Sequence, residues 1–294
     1  MTMTFLTRRD FLKGALAAGT CACLGEVPGV EASVFSPDAT RQIGVLVDTT
    51  RCIGCRACVR ACNQRNGLSQ AEAAMTVWEG ETETPTYGQW TVVNLEGRTD
   101  GKGAVPVKRQ CMHCLNPACV SVCPVGALHR LPSGAVIYRK DRCIGCRYCV
   151  FACPFNIPKF QWDSGETPVV GKCQFCAQHP LFTGPACAAV CPTGALKFGA
   201  RQELLFEARA RIHGRPDRYV DHIYGEKEVG GTSWLYLAGR DFEDLGFKSN
   251  LPTTPLPLLT QAALGTMFSI VGILALVLAS LSYLLKETTR QGRA

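Results

Sequence analysis

Apolar and polar residues alternate along this chain in blocks of different kind. Gly14–Gly25 is short, weakly apolar and rich in Ala and Gly. The run Ile43–Asp48, built of Ile, Val and Leu, predicts a short strand. Trp78, Tyr87, Trp90 and the Thr91–Leu95 run suggest further strands, with a turn or loop over Gly97–Gly103. Ala135-Val136-Ile137-Tyr138 follows a Leu131–Gly134 turn holding Pro132, Ser133 and Gly134, which is a hairpin signal. From Arg201 to Ile212 the period lengthens. Leu204, Leu205, Ala208 and Ile212 share one helical face, while Glu203, Glu207, Arg209 and Arg211 fall mostly elsewhere. Ser233–Ala238 is strand-like again. Residues 251–285 carry no charge at all. Pro252, Pro255 and Pro257 break a helix at the start, so the helix is expected from Gln261 to Leu285, enough for the ~20 residues a bilayer needs. Lys286, Arg290 and Arg293 follow against the single Glu287, and the positive-inside rule puts this tail in the cytoplasm. Gly265, Gly272 and Ala275 offer close-approach positions for a membrane partner.

Cysteine changes the picture. There are 18 in 294 residues, far above ordinary usage. Cys21 and Cys23 match no ligand spacing; the other sixteen form four quartets. These are Cys52, Cys55, Cys58 and Cys62; Cys111, Cys114, Cys119 and Cys123; Cys143, Cys146, Cys149 and Cys153; and Cys173, Cys176, Cys187 and Cys191. Proline follows the last cysteine of every quartet but the first, where Asn63 stands. Gly126-Ala127-Leu128 and Gly194-Ala195-Leu196 repeat one exit from a quartet, which supports a duplicated architecture. The net charge of +7 is spread along the chain without a basic run, so no nucleic-acid partner is expected. No catalytic acid–base constellation emerges. His113 and His179 are read as hydrogen-bonding or solvated residues, because their quartets are already complete. Trp78, Tyr87 and Trp90 are read as core or interface fillers.

The spacing of Cys143, Cys146, Cys149 and Cys153-Pro154 is that of bacterial two-cluster ferredoxins. Three thiolates within seven residues wrap three corners of an iron–sulfur cubane only if the backbone curls around it, and Gly145 permits that turn. The fourth cysteine of such a run ligates the other cluster. Applied to the two middle quartets, this assigns Cys111, Cys114, Cys119 and Cys153 to one cluster and Cys143, Cys146, Cys149 and Cys123 to the next. By elimination, Cys52, Cys55, Cys58 and Cys191 hold a third, and Cys173, Cys176, Cys187 and Cys62 a fourth. Zinc suits the fourth quartet alone, because three ligands on one tight C-x2-C-x2-C loop do not make two separated pairs. Disulfides across four C-x2-C pairs would make strained small loops.

Thr7-Arg8-Arg9-Asp10-Phe11-Leu12-Lys13 before the Gly14–Gly25 stretch resembles a twin-arginine export signal, with Val30-Glu31-Ala32 a cleavage site before Ser33. Cys21 and Cys23 leave with it. That route exports folded proteins, so clusters assembled in the cytoplasm are compatible with export. An outward body also agrees with the positive-inside tail.

The quartets resemble those of four-cluster ferredoxin-like electron-transfer subunits of membrane oxidoreductases, such as the iron–sulfur subunits of formate dehydrogenase and dimethyl sulfoxide reductase. Gln110-Cys111-Met112-His113-Cys114, Cys119–Pro124 and Tyr224-Gly225-Glu226-Lys227-Glu228 are most similar to the HybA-type iron–sulfur subunit of hydrogenase 2. This resemblance implies four [4Fe-4S] clusters, the outer pairing reached by elimination, and no catalysis by this chain itself. It also implies a separate catalytic subunit of the nickel–iron hydrogenase type and a multi-span, quinone-reactive membrane subunit. Formate dehydrogenase or a molybdenum sulfur-compound reductase is the alternative complex. The expected fold is α+β: signal peptide 1–32, outer ferredoxin-like domain 43–67 plus 165–200, insertion 68–107 and inner ferredoxin-like domain 108–164. An extension 201–255, a transmembrane helix 261–285 and a cytoplasmic tail 286–294 complete it, with the body on the periplasmic side of the inner membrane.

Overall fold

The computed structural model describes residues 42–68, 82–97, 103–164 and 169–291. The N-terminal signal, its cleavage site and Trp78 lie outside them. In chain order the elements are β1 (Ile43–Asp48), α1 (Ala57–Asn66), β2 (Val92–Glu96), β3 (Val105–Arg109), α2 (Ala118–Ser121), β4 (Leu128–Arg130), β5 (Val136–Tyr138) and α3 (Tyr148–Ala152). Then follow β6 (Lys159–Phe160), β7 (Val170–Gly171), α4 (Ala186–Ala189), β8 (Leu196–Ala200), α5 (Arg201–Gly214), β9 (Trp234–Leu237) and α6 (Leu256–Gln291). The described residues up to Leu259 form one compact unit, and α6 from Thr260 belongs to another.

Strand β1 coincides with the apolar run read from the sequence. Its residues are buried on both faces, which is why the run does not alternate. It pairs antiparallel with β8 (Val45 opposite Phe198) and parallel with β9 (Val45 opposite Trp234). Val45, Val47, Trp234 and Tyr236 face a core that includes Phe175 and Cys187. Leu46, Leu235 and Leu237 face the other way, onto Leu204, Leu205, Ala208 and Ile212 of α5. The helical face read from the 201–212 periodicity is therefore the buried one.

The remaining strands form hairpins, and each hairpin joins one cysteine quartet to the next. β2 pairs with β3, β4 with β5 and β6 with β7. The 131–134 turn sits between β4 and β5 as its Pro-Ser-Gly composition predicts. The short helices pair across the sequence: α1 packs on α4, and α2 on α3. First and fourth quartets are thereby brought together, as are second and third. The segment Tyr224–Glu228 forms a turn locked by a buried carboxylate. Glu228 Oε2 accepts the Gly225 N–H at 2.6 Å, and Oε1 lies 2.8 Å from His222 Nε2.

Two expectations need correction. Tyr87 and Trp90 lie in irregular backbone before β2, not in strands; Trp90 Nε1 donates to Tyr87 O at 3.0 Å, which folds the segment on itself. The C-terminal helix begins at Leu256 rather than Gln261 and runs through Lys286 and Arg290 to Gln291. Pro257 stands in the first turn, where no intrahelical N–H partner is lost, and Lys, Glu, Arg and Gln continue a helix readily. Among the described residues, no helix is long and apolar enough to cross a membrane. The α6 side chains Met267, Ile270, Val271, Ile273, Leu274, Leu276, Val277 and Leu278 are each more than half exposed.

Candidate metal centres

Each quartet loop is built by a repeated local device. Before the first, the buried Asp48 carboxylate caps the Thr49–Arg51 turn, accepting from Thr50 N at 3.1 Å and Thr50 Oγ1 at 2.6 Å. Tyr219 OH (2.8 Å) and Arg211 Nη1 (2.9 Å) satisfy its other oxygen, so the sheet-packing elements fix where the loop starts. A second turn, Lys140–Arg142, leads into the third quartet. Within these loops Gly54 (φ 70°) and Gly145 (φ 71°) turn left-handed, as the curl around a cubane requires. So do Arg56 (φ 53°) and Arg147 (φ 64°), at equivalent positions where no glycine announces it. Non-glycine residues in this region store strain and cluster at functional sites. The second and fourth quartets share another device. His113 (φ 49°) and Phe175 (φ 61°) are left-handed immediately before Cys114 and Cys176, and Pro117 and Pro185 cap the short helices carrying Cys119 and Cys187. His113 is buried and hydrogen-bonded, its Nδ1 accepting the Val136 N–H at 2.9 Å.

The thiols gather into four groups. Cys52, Cys55, Cys58 and Cys191 line one cavity. Cys123, Cys143, Cys146 and Cys149 line another. Burial pushes Cys62 up to about 11, and its neighbours Cys187 and Cys176 push the same way. Burial likewise raises Cys173, and Cys62 pushes the same way. Burial raises Cys114 well above the ordinary thiol range, followed by Cys153, Cys119 and Cys111. Cys191 of the fourth quartet thus lines the cavity of the first quartet's loop, and Cys123 of the second lines that of the third.

The groups also adjoin one another in a line. Cys58, pushed up to about 12 chiefly by burial, feels Cys187 of the next group. Cys111 and Cys173 share one apolar cluster, with Cys153 packed against it. Cys119 and Cys149 share another. Both ends of the line reach solvent: Ile53 is 63% and Ile144 65% exposed at matching loop positions, and Cys146 is the exposed cysteine of the set. None of the sixteen described cysteines is in a disulfide. Among the described residues, no three His, Cys, Asp or Glu side chains close on a single metal ion.

Two buried ammonium groups belong to this arrangement, and spacing alone gave no sign of them. Lys108 Nζ donates to Gln110 Oε1 at 2.8 Å and Thr91 Oγ1 at 3.2 Å. Lys172 Nζ donates to Val136 O at 2.5 Å and Cys173 O at 2.8 Å. All four acceptors are neutral. A buried cation is costly without an anion nearby, and a set of soft thiolates around iron and sulfide is such an anion. The donor set and these counter-charges fit iron–sulfur clusters, and the four groups above would hold them.

Comparison with known proteins agrees. A 4Fe-4S dicluster domain matches residues 51–127 and a second matches 105–201. A twin-arginine translocation signal matches residues 6–25. The hydrogenase-2 operon protein HybA of Escherichia coli O157:H7 is 36% identical over 277 residues, 82% of this chain and 83% of that protein. The nitrate-inducible formate dehydrogenase iron–sulfur subunit of Escherichia coli K12 is 33% identical over 207 residues (68% and 69%). The thiosulfate reductase electron transfer subunit PhsB of Salmonella typhi is 41% identical over 170 residues (56% and 79%). The dicluster domains carry four [4Fe-4S] clusters.

Proposed function

The chain belongs to the family of iron–sulfur electron-transfer subunits of oxidoreductase complexes, and from that premise we propose that it relays electrons between a catalytic subunit of the nickel–iron hydrogenase type and a quinone-reactive membrane subunit. The clusters supply one-electron storage and transfer. The chain's own residues hold them in sequence, keep them from water and set their potentials. The observation that carries this reading is the line of cysteine groups. Cys52/Cys55/Cys58/Cys191 stands next to Cys173/Cys176/Cys187/Cys62, then comes Cys111/Cys114/Cys119/Cys153, then Cys143/Cys146/Cys149/Cys123. A line with an exposed residue at each end suits a conductor between two partners. The domain boundaries 43–67 plus 165–200 and 108–164 follow the same pairing. Formate dehydrogenase or a sulfur-compound reductase would use the same relay, and the similarity to PhsB keeps that reading open.

One end carries the features of a docking face. Close to Cys146 in the chain are Tyr148 (63% exposed) and Phe151 (80%), and the Arg147 guanidinium lies 4.5 Å above the ring of Trp162 (67%). Large apolar side chains left exposed, with a basic residue among them, are what a protein partner covers. Purification from detergent-solubilised membranes should recover this chain with about sixteen iron and a catalytic subunit, whose identity by mass spectrometry separates hydrogenase from molybdenum enzyme. Phe151→Glu should be recovered iron-loaded but without one partner. Recovery of the intact complex from that variant would remove the patch from the interface, and zinc in place of iron and sulfide would overturn the relay.

We take the twin-arginine signal and α6 together as export with a single-pass anchor. Support comes from the uncharged 251–285 stretch and from apolar side chains that stay exposed around α6. A chain ending at Leu259 should move from the membrane to the soluble periplasmic fraction with its iron retained. Continued membrane retention in a strain lacking the partner subunits would refute the anchor.

A further inference from the structure

We propose that Lys108 is a shared counter-charge for the two outer clusters, raising both of their reduction potentials and leaving the inner two where the rest of the protein sets them. This rests on the ligand assignment above.

Lys108 lies in β3 opposite Val93 and is 2% exposed. Its ammonium sits 4.5 Å from the centre of the buried Trp234 ring, besides its bonds to Gln110 and Thr91. The backbone of the same residue is tied in. Gln110 Nε2 donates to Tyr236 OH at 2.7 Å, and Tyr236 OH donates to Lys108 O at 3.0 Å. Lysine, glutamine and tyrosine close a ring that leaves the side chain little freedom. The ammonium lines the cavity formed by Cys52, Cys55, Cys58 and Cys191. Trp234, on which the ammonium lies, shares one buried core with Cys187 of the second outer group, and Cys58 and Cys191 of the first pack against that core. Burial disfavours the charged form of a lysine, and the thiolates of a bound cluster beside it would be the anions that hold it as an ammonium. The groups that bond or cover it are neutral, so its field is not cancelled locally.

The sign of the effect follows directly. A reduced cluster holds one more negative charge than an oxidised one. A fixed cation beside it therefore favours reduction, more strongly in a dry interior than in water. Because Lys108 stands at the junction of two groups, it acts on both. For the inner groups the charge within reach is that of Lys172, on Cys119 and Cys153.

Potentiometric titration of the holoprotein, followed by electron paramagnetic resonance, tests this. In Lys108→Gln, two of the four midpoint potentials should fall by at least a tenfold change in the one-electron equilibrium, about 59 mV, and two should stay. Lys108→Arg should keep all four. Gln110→Glu retains the lysine but sets a carboxylate against it, and should lower the same two potentials even if Lys108→Gln loads poorly. Unchanged potentials in an iron-loaded Gln110→Glu or Lys108→Gln protein would overturn the proposal, as would equal shifts in all four. A wild-type protein without about sixteen iron would instead overturn the underlying assignment.

Discussion

Cys153→Ser is expected to empty the site formed with Cys111, Cys114 and Cys119, and to leave its own loop's site, Cys143, Cys146 and Cys149 with Cys123, loaded. Serine keeps the shape but offers a hard oxygen in place of a soft thiolate, and the soft ligand is what an iron–sulfur cluster selects. The cause of the displaced effect is geometric. After Cys149 the chain follows α3, and Cys153 emerges on the far side of it, against the apolar cluster of Cys111 and Cys173. Burial pushes the Cys153 thiol up to about 11, and among the thiols Cys111 raises it most. Iron should drop by about four per chain, and the lost resonance should be that of the third site in the line. Electron flow from one end to the other should fall to background, because the break lies inside the series. Loss of the resonance from the Cys143 loop instead would show that each quartet keeps its own fourth cysteine.

How much of this was legible without coordinates depends on the range of the interaction. Ligand spacing is local: three cysteines on one tight loop must share a cluster, whatever the remainder does. Strand β1 and the buried face of α5 were legible for the same reason, since a continuous apolar run and a 3.6-residue period are written within a dozen residues. The line of four groups was not, because it depends on Cys111 meeting Cys173 and Cys119 meeting Cys149 across long separations. Nor was the pairing of β9: the strand itself is read at Ser233–Ala238, but not that it joins β1 from almost the other end of the body and places Trp234 beneath Lys108. Lys108 itself looks like any strand lysine in the sequence; only the register of β3 against β2 turns it inward. The left-handed Arg56 and Arg147 escaped for another reason. Glycine advertises a positive φ and arginine does not, although comparing the two loops residue by residue would have shown arginine at the same place in both.

The insertion between the first two quartets offers the sharpest case of a constraint hidden from the sequence. Gly171 ends β7, immediately before Lys172 and Cys173. Its conformation suits any residue, but a Cβ there would stand 2.2 Å from both Cα and O of Tyr87. Those are backbone atoms and cannot rotate away. Tyr87 is itself held, its OH donating to Asp163 Oδ2 at 2.9 Å across the β6–β7 hairpin. In Gly171→Ala either the Tyr87 segment lifts off or β7 shifts and takes Cys173 with it. Overpacking of this kind costs about 1–3 kcal/mol, and a backbone collision belongs at the upper end. Cluster absorbance should bleach at a clearly lower temperature on heating, and the site shared by Cys173, Cys176, Cys187 and Cys62 should be the first lost. Gly199→Ala is the matched comparison: its Cβ would meet only the Leu204 side chain, at 3.7 Å, an ordinary contact. If the two variants bleach alike, the Tyr87 segment yields freely and does not clamp the hairpin. If Gly171→Ala alone falls, a loop with no cysteine of its own holds a cluster ligand in place.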